Sequence, residues 1–264
     1  MLSNRRSYHT VRFQARRLGQ RMLDFGFPES RPACLLCHRP LLDSGVSPKG
    51  EFALPENVCM FCRQDAQATV NTPTFRRLSV DCSDGRPVPL IVLAGADYQG
   101  FLRNAIRQWK YDGALELTPW LTGLMINAYR ARVWPDWRFN LLVAVPPSVQ
   151  RLRQRGYHHV GILASALQSP LQTPVLEVLA RPTCSADPVK EGAATQTARN
   201  AAQRRQALQA AFVLQAGSGN SVAGARVLLV DDVVTTGSTL SACAEVLYGA
   251  GAATVVGLTI ANVR

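Results

Sequence analysis

Apolar residues fall along the chain in two alternating kinds of run. Short blocks rich in Val, Ile and Leu occur at Leu90 to Ala94, Leu141 to Val145, Val175 to Leu179, Val227 to Val230 and Thr254 to Ile260. Such blocks suit buried strands of a parallel sheet. Between them the apolar positions recur at helical spacing. Phe101, Leu102, Ala105, Ile106 and Trp109 form one stripe, ending near Lys110-Tyr-Asp-Gly113. Others span roughly 115–132 and 156–167, and Leu240, Cys243, Ala244 and Leu247 form the last. A short Gln/Arg/Ala-rich helix and a strand near Phe212 are also expected. Alternating strands and helices over 88–264 predict an α/β fold, a mostly parallel sheet with helices on both faces. Residues 63–87, with Asn71, Pro73, Ser79, Ser83, Asp84, Gly85 and Pro87, read as a polar linker and domain boundary. Residues 181–198 read as an irregular loop.

The stretch from Ala225 to Leu240 carries the chemistry. A strand ends in Asp231 and Asp232, and a turn of Thr235, Thr236, Gly237, Ser238 and Thr239 opens a helix. Ligands of open α/β sheets sit beyond the carboxyl ends of the strands. Carboxylates there accept hydrogen bonds at neutral pH, which suits sugar hydroxyls or a hydrated metal. Gly237 permits close backbone approach. The amides that open the helix, with the neighbouring hydroxyls, suit a phosphate. The combination describes a pocket for a ribose 5-phosphate. The acid pair alone would equally fit a solvated turn and a helix cap. Gly217-Ser-Gly219 precedes a strand and reads as a loop, and no nucleotide triphosphatase loop is present.

Upstream lie Cys34-Leu-Leu-Cys37 and Cys59-Met-Phe-Cys62. Each pair forms a knuckle that aims two thiolates at one ion, and two knuckles complete a zinc tetrahedron. The segment between them holds Pro40, Gly45, Pro48, Gly50 and Pro55, too loop-rich to bury a core unaided. Cys34 to His38 also matches a haem-attachment pattern, but that chemistry usually needs export; a redox pair needs a strand–helix context absent here, and four thiols make His38 unnecessary as a ligand. Cys82, Cys184 and Cys243 are isolated thiols.

Charge adds a partner class. The formal net charge is +11, with 29 basic against 18 acidic residues. Nearly all of the positive charge is arginine; Lys49, Lys110 and Lys190 are the only lysines. Such a balance favours polyanions, nucleic acid or a phosphorylated ligand, although it also serves solubility. Residues 1–30, with Arg5, Arg6, Arg12, Arg16, Arg17 and Arg21, read as a basic arm or helix. No apolar run of about 18 residues predicts a membrane span. No secretory leader is evident, and the expected compartment is cytoplasmic.

Val230-Asp-Asp-Val-Val-Thr-Thr-Gly-Ser-Thr239 resembles the phosphoribosyl-pyrophosphate (PRPP) signature of the type I phosphoribosyltransferases. The four cysteines, Lys110-Tyr-Asp-Gly113, Val145-Pro-Pro147, Arg151 to Tyr157 and the signature, in that order, resemble the ComF family. Gln196, Arg204 and Phe212 fit a later family pattern. Two positions depart from it: His158-His159 replaces Asn-Gln, and Ala207 stands near a usual Asn.

The resemblance implies a type I phosphoribosyltransferase-like domain over 88–264 behind a four-cysteine zinc finger over 31–70. Asp231 and Asp232 would hold ribose hydroxyls, and Thr235 to Thr239 the 5-phosphate. Pro146, Pro147 and Ser148 would present amides to a pyrophosphate, and Mg²⁺ would accompany PRPP. It also implies a role in DNA uptake or utilisation, with competence proteins or an uptake helicase as partners. Arginines at 5–21, 151–155 and 199–205 would follow single-stranded DNA, with Phe61, Trp109, Trp134 or Tyr157 stacking bases. Lys190 and Arg199 flank a loop that would close on a ligand. The alternative is an active transferase acting on an unidentified acceptor. No catalytic residue is assigned, and His158 and His159 receive no role.

Overall fold

A computed structural model describes residues 32–41, 52–69, 73–82, 87–133, 138–182 and 211–264. The basic arm over 1–30, Lys49, Trp134, Cys184, Lys190, Gln196, Arg199, Arg204 and Ala207 lie outside the described residues.

Strands β1 (Thr74–Asp81), β2 (Pro87–Asp97) and β3 (Leu141–Ala144) precede a two-stranded ribbon, β4 (Leu179–Ala180) with β5 (Val213–Leu214). Strands β6 (Arg226–Val234) and β7 (Thr254–Asn262) follow. The main sheet runs β1-β2-β7-β6-β3. Strand β1 is antiparallel to β2, and every other pairing in that sheet is parallel. The expected mostly parallel α/β sheet is therefore present.

Helices cover both faces. On one side α2 (Gly100–Arg107), α3 (Thr118–Arg132) and α5 (His159–Leu171) pack on Leu93, Leu228, Val230, Leu258 and Ile260. On the other, α7 (Ser238–Gly249) covers Leu90, Val92, Leu141, Val143, Val227 and Leu229. The stripe read from the sequence supplies the inward face of α2: Leu102, Ala105 and Ile106 are fully buried. Helix α2 continues into one π turn, Gln108–Asp112, closed by Gly113. Widened turns of this kind re-aim side chains and cluster at functional sites.

Several elements differ from the sequence reading. The stretch read as a linker holds most of α1 (Met60–Thr69) and all of β1. Cys62 and Ala66 give α1 a single buried stripe. In β1 the exposed and covered positions alternate, but Arg76 occupies a covered one, which masks the period. Helix α4 (Val149–Arg155) also escaped, because it buries no residue and shows no apolar face. Its ends were legible: the Ser148 hydroxyl accepts a hydrogen bond from the Arg151 amide, and Gly156 closes it at φ 78°. The expected strand Val175 to Leu179 reduces to a bridge at Val175 and the short β4, because Leu176 and Glu177 face solvent.

The cysteine segment does not stand apart. Cys34, Leu36, Leu54, Val58, Cys62 and Ala66 join the same apolar cluster as Leu102, Trp109 and Leu121. The Gln108 side-chain amide donates to the Leu36 carbonyl at 2.7 Å. No described helix is long and apolar enough to cross a membrane.

Candidate functional site

Strand β6 carries Asp231 and Asp232 to the carboxyl edge of the sheet, as the sequence implied. Successive strand residues face opposite sides. Asp232 therefore meets the side of α2 and α5, where Lys110 Nζ lies 2.7 Å from its Oδ1 and His159 Nε2 lies 2.5 Å from its Oδ2. Asp231 Oδ1 accepts the Asp232 amide at 2.8 Å.

The two acids differ in electrostatic state. Burial pushes Asp231 up to about 7, and the Asp232 charge adds to the rise. Burial alone would also raise Asp232, but the His159 hydrogen bond and the Lys110 ammonium hold it well below the usual carboxylate range. His159 is pushed down by burial, with Arg155 and Lys110 adding to that, against the pull of Asp232. The tautomer with hydrogen on Nε2 lets the ring donate to Asp232.

A second layer holds these partners. Arg155 Nη1 lies 2.9 Å and 3.0 Å from the two ring nitrogens of His159. Its Nη2 donates to the Tyr111 hydroxyl at 3.0 Å, and its guanidinium stacks over the Tyr111 ring at 4.8 Å. The Trp109 ring meets His159 edge-on at 5.4 Å. The Tyr157 hydroxyl donates to the Trp109 carbonyl at 2.8 Å. The π turn of Gln108–Asp112 thus points Lys110 and Trp109 inward while Tyr111 lies on the surface.

His159 is the partner of the acid pair that sequence reasoning missed. A lone His-His pair carries no periodicity or spacing that marks a ligand. Its one signal was the departure from the family pattern. His158 faces a different partner, the Val145 carbonyl at 3.1 Å, and burial lowers its basicity.

Thr235, Thr236 and Gly237 lie between β6 and α7, and Ser238 and Thr239 open α7, so the acids and the expected phosphate loop adjoin. Thr236 Oγ1 and Ser238 Oγ share a hydrogen bond at 2.7 Å. Gly237 adopts φ 84°, and a Cβ built there would lie 2.3 Å from Leu78 Cδ1. The room that this glycine leaves is therefore taken by a side chain of β1. Arg76, also on β1, donates to the Thr235 carbonyl. Gly237→Ala is expected to destabilise the fold by about 1–3 kcal/mol, from the left-handed backbone and the Leu78 overlap, measured by thermal unfolding.

Pro146, Pro147 and Ser148 follow β3, which pairs with β6 in the register Ala144 to Val230. The last contact of that ladder is the Val145 amide donating to the Val230 carbonyl at 3.0 Å, so the Pro146 turn leaves the sheet beside the strand end that carries the acids. Arg181 Nε donates to the Pro146 carbonyl at 3.2 Å. Of the three arginines read as phosphate contacts, Arg151 and Arg153 are exposed on α4, and Arg155 is committed to His159 and Tyr111. Trp109 is fully buried and stacks on no base; Phe61 is 55% exposed, with Arg39 stacked 5.7 Å from its ring.

The four sulfurs of Cys34, Cys37, Cys59 and Cys62 lie within 4.8 Å of one another. Cys37 and Cys59 are 3.6 Å apart. A zinc–sulfur bond of about 2.3 Å gives a tetrahedral edge of about 3.8 Å, so the cluster fits such an ion. The Cys59 amide donates to Cys34 Sγ at 3.3 Å. Burial opposes ionisation of Cys34, but the backbone amides of Cys59, Cys37 and Leu36 outweigh it and bring the thiol down to about 6. A thiolate is the state that a metal requires.

An acid pair at a strand end, followed by a hydroxyl-rich turn into a helix, defines a phosphoribosyl transferase domain, and the family model of that description matches residues 154–262. The chain is 26% identical over 166 residues to competence protein ComFC of Bacillus subtilis, covering 60% of this chain and 58% of that protein. It is 31% identical over 162 residues to DNA utilization protein YhgH of Escherichia coli O6:H1, covering 61% and 66%. The chain thus spans less than two thirds of either relative. Over that span it is similar to the ComF family. Among solved structures it is similar to the allosteric regulatory enzyme of purine biosynthesis, at a TM-score of 0.33 and 19% identity over 53% of this chain and 24% of that one. Leishmania donovani UMP synthase gives 0.30 and 17% over 74% and 29%.

Proposed function

We propose that this protein binds PRPP or another ribose-phosphate group and acts in DNA uptake or utilisation. Asp231 and Asp232 receive the ribose hydroxyls, and Thr235, Thr236, Gly237, Ser238 and Thr239 receive the 5-phosphate. The observation that supports this most is the adjacency of the acid pair and the helix-opening turn at the carboxyl edge of the sheet. The turn of Pro146, Pro147 and Ser148 neighbours the same edge and suits a pyrophosphate, which would carry Mg²⁺ with it. Zinc in the four-cysteine cluster holds the N-terminal segment in shape. The relatives' names, a competence protein and a DNA utilization protein, support the cellular role. A cytoplasmic location and competence-protein partners accord with it.

Single-stranded DNA is the proposed polymer partner. The net charge of +11 supports it, as does the exposed pairing of Phe61 with Arg39. One preparation tests both parts. PRPP with Mg²⁺ is titrated calorimetrically into the wild type, Asp231→Ala and Asp232→Ala, and single-stranded DNA binding is measured against salt. Loss of PRPP binding in the variants, by about tenfold or more, supports the pocket. A steep salt slope that both variants retain supports a separate DNA surface. Wild-type protein that binds no PRPP refutes the pocket. Pyrophosphate release on adding a nucleobase would assign transferase chemistry as well.

A further inference from the structure

The segments Lys110-Tyr-Asp-Gly113 and Arg155-Gly-Tyr-His-His159 lie 45 residues apart in numbering, from 110 to 155, and none of the geometry above gives them a ligand of their own. Both instead converge on one carboxylate. A carboxylate has about four acceptor directions, two on each oxygen. In Asp232 one direction on Oδ1 goes to Lys110 at 2.7 Å, and one on Oδ2 goes to His159 at 2.5 Å. Two donors on two different oxygens fix the plane of the group. One acceptor direction remains on each oxygen, the number that a sugar diol needs.

The geometry points to Lys110 and His159 as positioning residues of the ribose site, which lock the orientation of Asp232 and hold the negative charge of the acid pair on it. This rests on the ribose-phosphate reading above. Two carboxylates so close share their ionisation unless something distinguishes them. Here the distinction comes from the surroundings. Lys110 on the π turn and His159 on α5 touch Asp232, and Arg155 of α4 backs His159. On the other side Asp231 feels Lys110 and then Arg151 of α4 only at longer range, and it lies near the buried Cys243 of α7. Of the two, Asp231 is thereby left as the acid that holds a proton more readily, beside Asp232, which only accepts.

The same arrangement gives the second layer its purpose. Arg155 cannot reach a phosphate while it bridges His159 and Tyr111. The single lysine of the described core is a compact ammonium, which fits a point contact where a planar guanidinium would not.

The test uses the full chain, with PRPP and Mg²⁺ as the probe. Lys110→Met and His159→Ala remove the donors, whereas Lys110→Arg and His159→Gln retain one. The first two are expected to weaken PRPP binding by about tenfold at pH 8 and further at pH 6, as Asp232 takes up a proton. The conservative pair should stay within about threefold and keep the wild-type pH profile. A merely structural role would leave the pH profile unmoved. Lys110→Met and His159→Ala with wild-type affinity and profile would overturn the proposal. Carboxyl-carbon NMR of the ligand-free wild type supplies a second reading. Asp232 should titrate below the ordinary value of 3.8, and a midpoint at or above it would also overturn the proposal. A low midpoint that rises in Lys110→Met, in protein that binds no PRPP, would support the charge lock and refute the ribose reading instead.

Discussion

Stripping the metal with a strong chelator, or replacing Cys62 with Ser, should unfold more than the cysteine knuckles. Structural zinc contributes on the order of 10 kcal/mol of apparent folding free energy in small domains. Cys34 and Cys62 are almost wholly buried and share one apolar cluster with Leu102, Ile106 and Trp109. Loss of the ion leaves four thiols within 4.8 Å of one another, two of them buried, with no cation to balance any thiolate. The expected result is exposure of residues 52–69 to hydrogen exchange and a red shift of Trp109 emission, since Trp109 has no exposed surface in the intact fold. Added zinc should reverse both. An unchanged spectrum and exchange pattern after complete metal removal would refute a structural role for the cluster.

The second large effect concerns Asp231. Its carboxyl is raised from an ordinary 3.8 to about 7, by burial first and then by Asp232. A raised folded value means that the native state binds the extra proton. The associated stability is full below about pH 4 and is lost as pH rises through 7. Asp231→Asn removes the titration and keeps an oxygen for the Asp232 amide. The variant should therefore gain on the wild type as pH rises from 4 to 8. About three pK units at about 1.4 kcal/mol each set a ceiling of about 4 kcal/mol for that gain. Denaturant unfolding of both proteins across this range measures the difference and cancels every other titrating group. A difference that stays flat, or that falls with pH, would contradict the electrostatic assignment. If it holds, the acid pair is a strained site whose cost in stability accompanies its chemistry.

Much of this arrangement was legible in the sequence because it rests on burial and period. The strand from Val227 to Val230, the acids after it, the hydroxyl-rich turn and the apolar stripe of α7 all announce themselves by composition. So do the four cysteines, whose two knuckles and loop-rich spacer suited a common ion and whose sulfurs converge. Illegible parts have physical reasons too. Helix α4 is an exposed arginine-rich turn with no face to bury, so periodicity was silent. Strand β1 alternates, yet Arg76 sits on its covered side because its guanidinium reaches the Thr235 carbonyl, a contact 159 residues away in sequence. His159 acquires its role only when α5 meets β6, 73 residues later in the chain. Local pattern carries no trace of such pairings. Trp109 read as a possible stacking platform because a tryptophan's burial cannot be told from its stripe alone; it is core.

Strand β1 also bears on how this protein can be cut. Among the described residues it is the one strand paired to the outer edge of β2, whose run Leu90-Ile-Val-Leu-Ala94 is among the most apolar in the chain. A fragment begun at residue 88 would present that run as a naked ladder of amides and carbonyls, inviting self-pairing into aggregates. Recombinant production and protease trimming alike should respect the residues from Thr74 onward.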